Sequence, residues 1–136
     1  MTYTILDLEW DGVYYEPKKR YINQILQIGA VKLDRNFKVV DTFERTIRSS
    51  ISDKVSGRFT RLTGITNEDM LGGVPLSTAV LEYNAWIDED TVTMTWSNSD
   101  LYTVMDNEKN LIKGIKFNID YYLDLQSYIQ SEMILM

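Results

Sequence analysis

Between Tyr3 and Trp10 the chain reads YTILDLEW, rich in strand-forming side chains, and Asp11-Gly12 follows as a turn signal, predicting a strand and then a loop. The polar stretch Asp11 to Tyr21, which holds Lys18, Lys19 and Arg20, is that predicted loop. From Gln24 to Leu33 the run QILQIGAVKL places Ile25, Ile28 and Ala30 or Val31 inward. Asp34-Arg35-Asn36 then reads as a turn into a third strand over Phe37 to Ile47. Short connections between three early strands predict an antiparallel meander.

Arg48 to Val74 is too long for a structureless connection in a compact domain, and Arg58 to Thr63 ending at Gly64 fits a short helix with a glycine stop. Leu76, Ala79, Val80, Tyr83, Trp86 and Ile87 recur at helical spacing, which predicts an amphipathic helix of about three turns. Thr91 to Trp96 is a strand candidate. After Ser97-Asn98-Ser99, helical spacing resumes at Leu101, Val104, Met105, Leu111 and Ile112. A last strand near Phe117 to Leu125 leads into a helix over Leu125 to Met136. Strands first, then alternating helices and strands, predict a single α/β domain: a mixed sheet with helices on its faces.

Composition narrows the chemistry more than the fold. The 136 residues contain no cysteine and no histidine, so catalysis or metal binding within them falls to carboxylates, hydroxyls and amines. Net charge is −6, which disfavours gripping duplex nucleic acid through many phosphate contacts and is compatible with a site for a hard cation. No apolar run is long enough for a membrane helix, and the first residues lack the basic region of a secretory signal; a cytoplasmic setting without membrane contact is the expectation.

Two places carry candidate chemistry. Asp7 and Glu9 stand two residues apart on an apolar strand and share one face; flanked by Ile5, Leu6 and Leu8 they look largely buried, where they would repel unless a cation lay between them. A strand with a solvated outer face gives the same spacing. Asp100 falls in the first turn of a predicted helix, where an anion is favoured whether or not it has a further role.

In order along the chain, DLEW, QILQIGAV, LTGIT and WSNSD resemble the DEDD exonucleases of the ribonuclease H-like fold, over about Thr4 to Gln126. The branch they look most like, the DEDDh enzymes, includes the polymerase III proofreading subunit, oligoribonuclease and the exonucleases that trim histone mRNA and small RNAs. The resemblance implies a three-layer α/β fold and a 3′→5′ exonuclease using two Mg²⁺ or Mn²⁺ ions. Asp7 would bridge both ions, Glu9 would bind one and help position water, and Asp100 would hold the second. Leu8 and Trp10 would contact the terminal nucleotide, and Thr63, Gly64 and Ile65 would form the loop near its 3′ end; packing and a helix stop account for these residues equally well. Single-stranded 3′ ends, RNA ahead of DNA, are the implied partner.

The family's third motif, a histidine shortly before a final aspartate, is missing from these residues. The expectation is therefore a domain incomplete at its C-terminal end, with weak metal binding and impaired turnover. The apolar ending Met133 to Met136 would then seat either the missing end of the domain or a second copy in a homodimer. The rival readings are a non-catalytic nucleic-acid-binding module and a protein-interaction module on the same fold.

Overall fold

A computed structural model describes residues 1–135, with side chains through 132; the apolar face expected at Met133 to Met136 lies outside the described side chains. The elements are β1 (Thr2–Tyr15), a 3₁₀ turn (Glu16–Lys18), β2 (Arg20–Leu33), β3 (Val39–Thr46), α1 (Gly57–Thr63), α2 (Asn67–Leu71), α3 (Leu76–Trp86), β4 (Thr91–Thr95), α4 (Ser99–Asn110), β5 (Tyr121–Asp124) and α5 (Leu125–Leu135). They form one five-stranded sheet in the order β3-β2-β1-β4-β5. The first three strands are antiparallel, and β4 and β5 run parallel to β1, so the predicted meander and mixed α/β sheet are what forms. No described helix is long and apolar enough to cross a membrane.

The first hairpin departs from expectation. Asp11-Gly12 does not end β1: Gly12 pairs with Asn23, and the ladder continues to Tyr15 opposite Arg20. The reversal falls instead at Glu16–Lys18, closed by Lys19 in the left-handed region at φ 51°. A turn signal yields here to cross-strand pairing and to β2's contacts with α4.

Alternation along β1 puts Leu6 and Leu8 into the main core with Ile25, Ile28, Ala30, Phe43, Val80, Tyr83 and Val104. Helices α3 and α4 supply the covering layer, and α3 buries Leu76, Ala79, Val80 and Tyr83 as its spacing predicts. A second, smaller core of Leu26, Phe59, Ile65 and Met70 sits beneath α1 and α2.

A bulge explains how adjacent Ile25 and Leu26 serve different cores. Glu9 pairs with Gln27 but Trp10 pairs with Ile25, so Leu26 is the extra residue on β2. The N–H of Ile25 donates to Asn107 Oδ1 at 3.0 Å, and Asn107 Nδ2 donates to the Asn23 carbonyl at 2.8 Å and to that of Thr103 at 2.8 Å. Asn107 is itself wholly buried. The buried face of α4 is thus Asp100, Thr103, Val104, Asn107 and Asn110, while Met105, which the apolar spacing assigned inward, is 55% exposed.

Replacing Asn107 with leucine keeps the volume but strands the buried Ile25 N–H and takes a partner from the Asn23 carbonyl. The expected cost is about 2–4 kcal/mol. Thermal unfolding should show it as a fall in Tm on the order of ten degrees, with secondary structure retained at low temperature.

Candidate active site

The site begins where β1 loses a neighbour. β4 pairs with β1 only over Thr2 to Ile5, leaving that edge of β1 unpaired further along. The Leu8 N–H donates to Asp100 Oδ2 at 3.3 Å, a main-chain donor taken up by a carboxylate from the first turn of α4. This contact brings the second sequence candidate beside the first. Asp7, Glu9 and Asp100 thus share one corner of the molecule, the three carboxylates close enough to influence one another.

Their exposures differ from the expected buried pair. Asp7 is exposed and Glu9 half-buried, whereas Asp100 is 8% exposed. The physical reason is layering: the helices that pack on β1 cover the Leu6 and Leu8 face, and Asp7 points to the other. Directly opposite Asp7 on β2 is Gly29, which puts no side chain beside the carboxylate. Burial, with Asp7 and Asp100 adding like charge, raises the Glu9 carboxyl above its ordinary value. Burial also raises that of Asp100; the Leu8 N–H works in the opposite direction and Asp7 adds to the rise.

None of the three forms an ion pair with a lysine, arginine or the N-terminus among the described residues. Nor do three such side chains close into a metal-holding group among those residues. The donor set nonetheless fits a hard divalent cation: it is all oxygen, negatively charged and uncompensated, with one carboxylate in partial burial that disfavours its charge. Asp124, at the end of β5 opposite Thr95, is a fourth carboxylate at the same end of the parallel strands. It acts as the N-terminal cap of α5, accepting from the Ser127 N–H at 3.2 Å and the Ser127 hydroxyl at 3.0 Å. The sequence pattern did not single it out, although an aspartate just before a helical run is a cap signal.

Beside the carboxylates lies a groove of about 260 Å³ lined by Glu9, Trp10, Asp11 and Gly12 of β1, Asn23 of β2, and Ser56, Arg58, Phe59, Leu62 and Thr63. Asp11 holds the two banks together: its carboxylate accepts from the Ser56 N–H at 2.7 Å and from the Ser56 hydroxyl at 2.8 Å. Ser56 in turn caps α1 through the Phe59 N–H at 3.1 Å. Trp10 and Thr63 therefore do meet across one groove. Arg58, Leu62 and Asn23 join them, residues that no local signal in the sequence marked out.

Three predicted contacts sit differently. The Leu8 side chain is 4% exposed within the core, so Leu8 serves the site through its N–H. Ile65 is 6% exposed in the second core. Gly64 is the left-handed stop of α1 at φ 79°, its N–H donating to the Thr60 carbonyl, and no chain approaches within 4 Å of where its side chain would be. The Thr63 hydroxyl is spent locally, donating to the Phe59 carbonyl at 2.8 Å and accepting from the Ile65 N–H at 3.1 Å. This loop is built chiefly to end a helix.

The model of the exonuclease family (RNase T) matches residues 4–133. No curated protein matches the chain in sequence. Among solved structures the chain is similar to cell-death related nuclease 4 (CRN-4), with TM-score 0.78 and 18% identity over 99% of this chain and 48% of that one. It is similar to the nuclease domain of 3′hExo, a DEDDh family member bound to rAMP, with TM-score 0.64 and 17% identity over 78% of this chain and 58% of that one. Exonuclease I in its complex with SSB-Ct gives TM-score 0.71 and 15% identity over 98% of this chain and 30% of that one. The chain spans about half the length of the first of these and less than two thirds of each, and at such identities the likeness is one of fold.

The raised Glu9 and Asp100 carboxyls make a stability prediction. An acid whose folded value is raised contributes its full stability below the unfolded value and loses it as pH rises through the folded one. In chelator, Asp100→Asn, which keeps an oxygen for the Leu8 N–H, should melt a few degrees above the parent at neutral pH. The difference should shrink towards zero below the ordinary aspartate range, and a variant that melts lower at neutral pH would refute this account.

Proposed function

The chain belongs to the exonuclease family and has the ribonuclease H-like fold, and from that premise we propose that it is a metal-dependent 3′→5′ exonuclease of the DEDDh kind acting on single-stranded 3′ ends. The observation that carries this reading is the meeting of Asp7, Glu9 and Asp100 at the open edge of β1, beside a groove with room for a nucleotide.

In this reading Asp7, exposed and opposite the side chain-free position at Gly29, would hold the metal. Glu9, which lines the groove, would share in holding the metal and would orient a water for attack. Asp100 presents an oxygen while the Leu8 N–H fixes the orientation of its carboxylate. Mg²⁺ or Mn²⁺ bound there supplies Lewis-acid activation of water and neutralises charge on the phosphodiester. Trp10 offers a face for the terminal base across from Leu62 and Thr63, and Arg58 offers a cation to a phosphate oxygen. No imidazole is present in these 136 residues, so the carboxylates carry the chemistry that the chain itself supplies. The acidic charge balance suits single strands better than duplexes, and RNA is favoured over DNA on the likeness to the nuclease domain bound to rAMP.

A non-catalytic nucleic-acid-binding module is the second reading, favoured by one observation, the absence of a closed metal-holding group among the described residues.

With Mn²⁺, the chain is expected to shorten single-stranded RNA from its 3′ end and to release 5′-mononucleotides. Asp7→Ala should slow this by about 100-fold or more, and should abolish the rise in Tm that Mn²⁺ gives the parent. A Tm rise without cleavage would select the binding module; neither cleavage nor a Tm rise would sink both the enzyme and its metal site.

A further inference from the structure

Beyond the carboxylates, the β1–β2 hairpin runs on as a two-stranded arm. β3 pairs with β2 only from Gln27 onward and β4 with β1 only as far as Ile5, so the pairs from Asp11 with Gln24 to Tyr15 with Arg20 have no further strand beside them. Such a ribbon is marginal alone, yet this one is fastened to α4. The Tyr15 hydroxyl donates to the Asn110 carbonyl at 3.0 Å, Arg20 pairs with Asp106 at 3.0 Å, and Asn107 holds the base at the Asn23 carbonyl.

The fastened arm displays an aromatic pair. Tyr14 and Tyr21 lie directly opposite each other, their rings 5.5 Å apart and edge to face, and they are 43% and 71% exposed. By the two-residue period they share a face with the preceding pair, Gly12 and Asn23, and those two line the groove with Glu9 and Trp10. The row therefore leads from the groove, across a glycine with no side chain, to two exposed rings. At its tip Lys18 and Lys19 are exposed and, among the described residues, in no ion pair, whereas Arg20 is held by Asp106. In a chain of net charge −6 this is a local concentration of cation beside aromatic faces.

We infer that this arm is a binding platform for the single-stranded body of the substrate, the part 5′ to the end held in the groove, with bases stacking on Tyr14 and Tyr21 and phosphates meeting Lys18 and Lys19. The inference rests on the proposed exonuclease reading for which end lies in the groove. Exposed rings combined with unpaired cations suit a flexible strand: stacking tolerates any base and the cations track the backbone. From Glu9 to Tyr14 the strand rises about 17 Å, a span of a few nucleotides.

The test is binding of a labelled long single strand and of a labelled trinucleotide, measured by fluorescence anisotropy in Ca²⁺, which takes the same oxygen donors. Tyr14→Ala with Tyr21→Ala should weaken the long strand about tenfold and leave the trinucleotide unchanged. Lys18→Ser with Lys19→Ser, at exposed turn positions outside both cores, should lower the slope of log affinity against log salt by about 1.4. No loss for either pair, equal losses at both lengths, or a loss confined to Lys109→Glu on α4 with Lys113→Glu just after it would overturn the inference. Mn²⁺-dependent hydrolysis of thymidine 5′-(p-nitrophenyl phosphate) separates the two claims. If the parent lacks it, the exonuclease reading fails while long-strand binding still judges the arm; if the arm variants keep it, the arm acts on the strand and not on the chemistry.

Discussion

One extra residue in β2 sets the geometry on which the rest depends. At Leu26 the ladder slips, and the main-chain groups released by the slip are buried. A buried, unpaired N–H or carbonyl costs as much as several ordinary contacts gain, so a bulge here requires a partner in register. Asn107 is that partner, able to accept at Oδ1 and donate at Nδ2 at the same time. With the bulge held, Ile25 faces the main core, Leu26 faces the core under α1, and the remainder of the hairpin is carried against α4. The same contact fixes α4 against the sheet and thereby places Asp100.

The site is the counterpart of that arrangement. Strand β4 leaves β1 early, an edge donor is left over, and a carboxylate from α4 meets it. Three negative groups then crowd one corner with no ion-pair partner among the described residues. Such a corner is costly in the folded chain, and proteins tolerate that cost where function requires it. Hydrophobic layering explains the exposure of Asp7: the helices that bury Leu6 and Leu8 lie on the opposite side of the strand.

The parts of the fold that were legible in the sequence are those with regular periods. Strand alternation in β1 and β2, the apolar row of α3 and the glycine stop of α1 all appear as the pattern predicts. Helix α4 was found but its orientation was misjudged. Its buried side is mostly polar, and Met105 stood in the apolar row while Asn107 carried no signal, because a buried asparagine is recognisable only once its partners from another element are known. The extension of the hairpin past Gly12 was hidden for a similar reason: local turn chemistry pointed one way and contacts with α4, distant in sequence, decided the other. Asp7, Glu9 and Asp100 stood out through the order of the DLEW and WSNSD segments along the chain, since a pair of strand carboxylates or an aspartate at a helix start has by itself an ordinary structural explanation. The far bank of the groove, with Arg58 and Leu62, did not, since nothing local distinguishes those residues from an ordinary helix surface.

Gly29 shows how a site can be made by leaving something out. A Cβ added at Gly29 would meet the Asp7 main-chain oxygen at 3.4 Å, so a larger residue there would stand against the stretch of strand that bears the carboxylate. Access to Asp7 is therefore encoded on a different strand from the one that bears it. A change at Gly29 could preserve every acidic residue and still close the approach, and a catalogue of charged side chains would miss the loss.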